Sequence, residues 1–155
     1  MQQTSDTDNF QLAKQNCIFC KIVNKEMNSS IIFEDELSIA ILDINPAENG
    51  HILLMPKEHY MLMHMVPDHT LGHLSVVSKY LSELLIESLN CEDVSIFIAN
   101  GSAAGQQSQH FMIHLIPKYK SSDKRFDISG EKVSQQELDK ICNDIRSKLN
   151  ELNKN

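Results

Sequence analysis

Apolar positions along this chain keep two different spacings, and each spacing marks a kind of element. Ile31 to Glu34 and Ser38 to Asp43 are short apolar runs on either side of the acidic turn Glu34-Asp35-Glu36, which predicts a hairpin. Ile52-Leu53-Leu54-Met55, entered from His51 and stopped by Pro56, is apolar without interruption, the pattern of a strand buried on both faces in the middle of a sheet. Val94 to Ala99 alternates with period two. A loop from Asn100 to Gln109 with glycines at Gly101 and Gly105 then leads into a second alternating run, His110 to Ile116. On a strand His110, Met112, His114 and Ile116 share one face and Phe111, Ile113 and Leu115 the other. Two adjacent antiparallel strands are the economical reading of this pair.

The second spacing is helical. Leu71, Leu74, Val77, Leu81, Leu84 and Leu85 recur on one side of a helix that Asp68 is placed to cap and that runs to about Leu89. Ser134-Gln135-Gln136-Glu137 has the form of a capping box, and Leu138, Ile141, Ile145, Leu149 and Leu152 follow as a stripe, predicting a C-terminal helix over 134–153. Residues 1–15 are polar with no sustained period and read as a flexible tail or a short irregular helix; Lys118 to Ser129 reads as a polar connector. Strands followed by segregated helices predict an α+β fold, a mostly antiparallel sheet of about five strands with one long helix and the C-terminal helix, in a single domain over 16–155.

Composition narrows the chemistry. With 155 residues the chain can bury a core without disulfide staples, and a net charge of −7 argues against a general binder of nucleic-acid backbones. No apolar run approaches the roughly 18 residues of a membrane span, and Met1 to Asn9 lacks the form of a signal peptide, so a cytoplasmic protein is expected. Four cysteines are then thiols or metal ligands rather than bridges. Cys17 and Cys20 have C-x-x-C spacing, which alone fits a redox pair, a metal knuckle or packing. Cys91 and Cys142 stand apart and read as buried or half-buried packing. His64, His69 and His73 read as surface residues, and the methionines Met55, Met61, Met63 and Met65 as gap-fillers.

Gly105-Gln106, three further residues, and then His110-Phe111-Met112-Ile113-His114-Leu115-Ile116 resemble the signature of the histidine triad family, with Met112 where the family has its middle histidine. The resemblance covers roughly residues 17–118. It implies the HIT-like α+β fold and a two-fold homodimer. It also implies that Gly105, Gln106, Gln107 and His114 grip a phosphate, that Asp43 accepts from ribose hydroxyls, and that Phe19, Ile22 and Ile41 sandwich a base. Asn100 follows Ala99, which stands where the family commonly has an asparagine that contacts the sugar and phosphate. Zinc-bearing members imply a structural Zn2+ held by Cys17, Cys20, His59 and His110, two thiolates and two imidazoles in a closed tetrahedral set.

Met112 changes the expected chemistry. The family's middle histidine attacks the α-phosphorus and forms a nucleotidyl intermediate, whereas a thioether has no proton to exchange and would give an unstable sulfonium. On a strand, His110 and His114 lie about 6.6 Å from that position, beyond the ~3.5 Å that in-line attack requires. The implied function is binding of a purine nucleoside phosphate with the covalent step lost or strongly reduced. The alternatives are a nucleotidyl or dinucleoside-polyphosphate hydrolase with another nucleophile, and a zinc-stabilised dimeric interaction module.

Overall fold

The runs of isoleucine and leucine build the sheet. β1 (Ile31–Glu34), β2 (Ser38–Leu42), β3 (Ile52–Pro56), β4 (Asp93–Phe97) and β5 (Ile113–Lys118) pair antiparallel in the order β1-β2-β3-β5-β4. The computed structural model describes residues 6–122 and 130–152. They fall into two units, residues 1–122 and 123–155. β3 is central and buried at all five positions, as its uninterrupted apolar run requires.

Pairing register sorts the side chains. Ile41 lies opposite Leu53, Leu53 opposite His114, and His114 opposite Phe97, so these four form one row across the sheet on one face. Ala40, Leu54 and Ile113 form the neighbouring row on the other face. That second face packs under α3 (Asp68–Leu89), whose Leu74, Val77, Leu81 and Leu85 are buried against it. Each such side chain contributes about 1.5–3 kcal/mol by leaving water. The first face is only partly covered. The six-residue helix α2 (Ile18–Val23) packs Ile22 against Ile39, Ile41, Leu53, Met55 and Met112, and the rest of that face stays open to the functional site.

Three local expectations change. The strand through His110 begins only at Ile113: the Phe111 amide donates to the Tyr60 carbonyl at 2.6 Å instead of to β3. The alternation nevertheless survives, with Phe111 in the core under α3 and Met112 on the opposite side. Asp68 is not the cap. Pro67 occupies that place with φ −57°, and Asp68 stands in the first turn, where a carboxylate suits the helix dipole. His73 is not a free surface residue, because its Nε2 meets Asp35 Oδ2 at 2.7 Å and ties α3 to the β1–β2 turn.

Of residues 1–15, 6 onward are described, and Asp6–Asn16 forms α1. The helix is anchored by Lys14 on Glu58 at 2.6 Å and by the Phe10 ring edge-on to His59, long-range contacts that no local period reveals. In the second unit α4 spans Gln135–Leu152, with the Glu137 amide donating to Ser134 Oγ at 3.3 Å as the capping box predicts. Residue 153, and 123–129 of the expected connector, lie outside the described residues.

Candidate functional site

Cys17, Cys20, His59 and His110 are all buried, and one ligand atom from each lies within 4.8 Å of the others. Cys17 caps the start of α2 and Cys20 sits one turn later, so a short helix aims both sulfurs the same way. His110 Nε2 donates to the Pro56 carbonyl at 2.9 Å, which leaves its Nδ1 as the bare nitrogen, 3.5 Å from Cys17 Sγ and 3.7 Å from Cys20 Sγ. His59 Nδ1 is 3.2 Å from Cys20 Sγ. Sulfur and nitrogen on one tetrahedral zinc would be separated by about 3.6 Å, given bonds of about 2.3 and 2.05 Å, so these edges fit a single ion.

The electrostatics favour the same use. Burial pushes the His110 imidazole down to about 4, so it is a neutral ligand at neutral pH. Burial, with Cys17 beside it, pushes the Cys20 thiol up to about 12. Two thiolates this close need a cation, and a divalent metal would supply it. His59 Nε2 is buried without a hydrogen-bond partner among the described residues.

Next to this cluster, on the open part of the sheet face, is a cavity of about 430 Å³. Its walls bring together Phe19, Asp43, His51, the Gly105–Ser108 loop, Met112 and His114, and His110 belongs to both sites. His114 stacks on Phe97 with ring centroids 4.6 Å apart and planes 6° from parallel, as their opposed positions on β5 and β4 dictate. His51 Nε2 and His114 Nδ1 are 3.0 Å apart. The Ala47 amide donates to His51 Nδ1 at 3.2 Å, with Asp43 Oδ2 3.4 Å from the same nitrogen; given the Ala47 bond, the His51 proton is on Nε2, His114 Nδ1 is the acceptor and the His114 proton is on Nε2. Burial, then the neighbouring His51, push His114 down to about 4, against the opposing pull of Asp43.

Backbone shape makes these positions possible. The loop between β2 and β3 returns on itself through Asp43 N to His51 O at 2.9 Å and His51 N to Glu48 O at 3.0 Å. Gly50 in it has φ +94°, and a Cβ there would stand 2.3 Å from Leu89 Cδ1. Gly105 closes the other loop with φ +87°. The Gln106 side chain braces that loop, accepting from Gly101 N at 2.7 Å and donating to the Met61 and Ser108 carbonyls.

The residues singled out in the sequence divide accordingly. Phe19, Asp43, Gly105, Gln106, Gln107, Met112 and His114 line the cavity. Ile22 and Ile41 are buried in the cluster around Met112, behind the cavity wall. Asn100 accepts from the Met63 amide at 2.8 Å and is absent from the cavity lining, where Ala99 stands instead. Phe97 is the residue that the sequence reading missed; the signal for it was the antiparallel pairing that sets it opposite His114.

An antiparallel sheet with a glycine loop beside paired imidazoles forms a candidate small-ligand site, and the adjoining Cys2His2 group could hold a metal ion. The HIT domain model matches residues 24–121, the span that holds His59, His110, the loop and the imidazole pair, and the chain belongs to that family. It is 34% identical over 125 residues to the adenosine 5'-monophosphoramidase of Saccharomyces cerevisiae, covering 81% of this chain and 75% of that protein. Among solved structures, the histidine triad nucleotide-binding protein from Candida albicans superposes with a TM-score of 0.79 at 30% identity, covering 88% of this chain and 99% of the other. A Zn-bound histidine triad family protein from Mycobacterium smegmatis gives 0.69 at 29% identity, covering 76% and 86%.

Proposed function

We propose that this protein binds a purine nucleoside phosphate in the cavity between the His51–His114 pair and the Gly105–Ser108 loop, and that it forms no nucleotidyl-histidine intermediate. The carrying observation is the convergence, in one cavity, of a carboxylate at Asp43, a loop of amides and a neutral His114 whose proton is on Nε2. An N–H of that kind donates to a phosphate oxygen, and the Gln107 and Ser108 amides would add further donors, those of Gly105 and Gln106 being held by the Ser102 and Gly101 carbonyls. The Asp43 carboxylate suits a vicinal diol, and Phe19 offers a flat apolar surface to a base. The monophosphoramidase activity named for the yeast relative supports adenosine as the nucleoside.

Met112, where the resemblance in sequence puts the family's middle histidine, lines the same cavity and packs with Ile22, Ile41 and Leu53. A His114 with its proton on Nε2 is a donor rather than a base or nucleophile, which weighs against hydrolysis through that residue. Cys17, Cys20, His59 and His110 would hold a structural zinc, supported by the tetrahedral edge lengths and by the Zn-bound relative. With all four positions filled by protein, the ion would cross-link the α2 knuckle to the cavity wall and leave no open coordination position. The exposed stripe Val76, Tyr80 and Leu84 on α3 and Ile96 on β4 support a homodimer.

Calorimetric titration with adenosine monophosphate tests the site. Asp43→Ala and His114→Ala should each weaken binding by about tenfold or more, the range for losing a hydrogen bond to a charged group. Unchanged affinity in both variants would overturn the assignment.

A further inference from the structure

At 11 residues α1 is shorter than the ~12–15 residues at which an isolated helix becomes even marginal in water, so its order has to come from what it rests on. Of its two large apolar side chains Leu12 is exposed, while Phe10 is half-buried and meets His59 edge-on, with ring centroids 5.4 Å apart. One turn further on, Lys14 Nζ reaches Glu58 Oε1 at 2.6 Å. The Cys17 amide donates to the Lys14 carbonyl at 3.2 Å, which carries the end of α1 directly into the first cysteine. These three contacts fall on Cys17, on His59 and on the residue before His59, so α1 stands on the Cys2His2 group itself.

The helix also walls the ways in. Cys17 and Cys20 are 8% and 6% exposed, and each lines a different surface cavity. Leu12, Ala13 and Asn16 belong to the wall of the one beside Cys17, about 490 Å³, and Lys14 to the wall of the one beside Cys20, about 510 Å³. The His59 ring, in contact with Phe10, is 1% exposed. A chelating molecule that takes a metal from this group has to reach a sulfur or an imidazole nitrogen, and both sulfurs are approached along α1.

We propose that α1 is a gate on the metal centre: docked through Phe10 and Lys14 it slows exchange of the ion, and the loaded centre, by fixing Cys17 and His59, holds α1 down in turn. This rests on the zinc reading above. Helix docking and metal affinity then raise each other by the same factor. Release through the undocked state follows the population of that state, so weaker docking speeds release in proportion. The test mixes the zinc-loaded full chain with excess 4-(2-pyridylazo)resorcinol and follows metal transfer for the native protein, Phe10→Ala, Lys14→Glu and Lys14→Arg. An aromatic pair, or an ion pair turned repulsive, corresponds to about fivefold, so Phe10→Ala and Lys14→Glu should each release zinc about fivefold faster, whereas Lys14→Arg, which keeps the pair, should stay at the native rate. Amide exchange on the same samples should show the protection of residues 10–16 falling by the same factor while β3 keeps its native protection, which reports an intact fold. A native release rate in both Phe10→Ala and Lys14→Glu, or faster release with unchanged α1 protection, overturns the gate and leaves the zinc assignment standing. A native chain that takes up no zinc overturns the gate and the zinc assignment together.

Discussion

Replacing Gly50 by alanine asks whether the loop that carries Asp43 and His51 is built on that glycine. At φ +94° an L-residue pays about 1–2 kcal/mol for the left-handed backbone alone. The added Cβ would also stand 2.3 Å from Leu89 Cδ1 and 3.2 Å from Pro117 Cγ. Leu89 is 40% exposed, so it can swing away, at about 0.5–1.5 kcal/mol for a displaced rotamer. Pro117 lies within β5 and cannot. The two contributions come to about 1.5–3.5 kcal/mol, or a fall in melting temperature of roughly 3–14 °C for a chain of this size. Urea unfolding of Gly50→Ala, Leu89→Ala and the double variant separates them, because Leu89→Ala should return about 1 kcal/mol of the loss and leave the backbone share. His51 follows directly, so adenosine monophosphate should bind more weakly to Gly50→Ala even where the protein is fully folded. A loss below about 0.5 kcal/mol with normal binding would refute the reasoning.

Metal removal and pH give two further tests. Protein purified without chelator should hold one zinc per chain, and Cys17→Ser should lower stability by about 3 kcal/mol or more; substoichiometric metal with an unchanged melting curve would contradict the Cys2His2 assignment. His114, held near 4 when folded against about 6.5 when unfolded, takes up fewer protons in the native state between those values. Its contribution is therefore complete above pH 6.5 and is lost as pH falls towards 4, about 1–2 kcal/mol after allowance for solvent screening of a half-buried ring. Urea unfolding of the native chain and of His114→Phe over that range should show the shallower slope in the variant, and identical slopes would remove the buried-imidazole account.

Period carried most of the fold. The continuous apolar run at Ile52–Met55 placed β3 at the centre, the spacing of Leu74, Val77, Leu81 and Leu85 gave the face of α3 that lies on the sheet although Leu84 of the same stripe is exposed, and the α+β class is borne out. Alternation from His110 onward sorted side chains to the right faces, yet it overstated the strand, because the Phe111 amide bonds to the carbonyl of Tyr60, distant in sequence, instead of to β3. The same limit left the N-terminal segment open between a tail and a short helix, since the anchors of α1, Glu58 and His59, lie more than forty residues on. It also hid the pairing of His73 with Asp35. At the site, residue types identified donors and acceptors, but Asn100 turns to Met63 and Ile41 lies behind the cavity wall. Those outcomes depend on which loop crosses which, and a local pattern holds no such information.

The central claim is a nucleotide pocket without its nucleophile, and intact-mass spectrometry after incubation with saturating adenosine 5'-phosphoramidate tests it most directly. The native chain should carry no covalent nucleotidyl group, and Met112→His should gain an acid-labile one of a single adenylyl mass. An adduct on the native protein, lost in His114→Ala but retained in Met112→Leu, would contradict the account and make His114 the nucleophile.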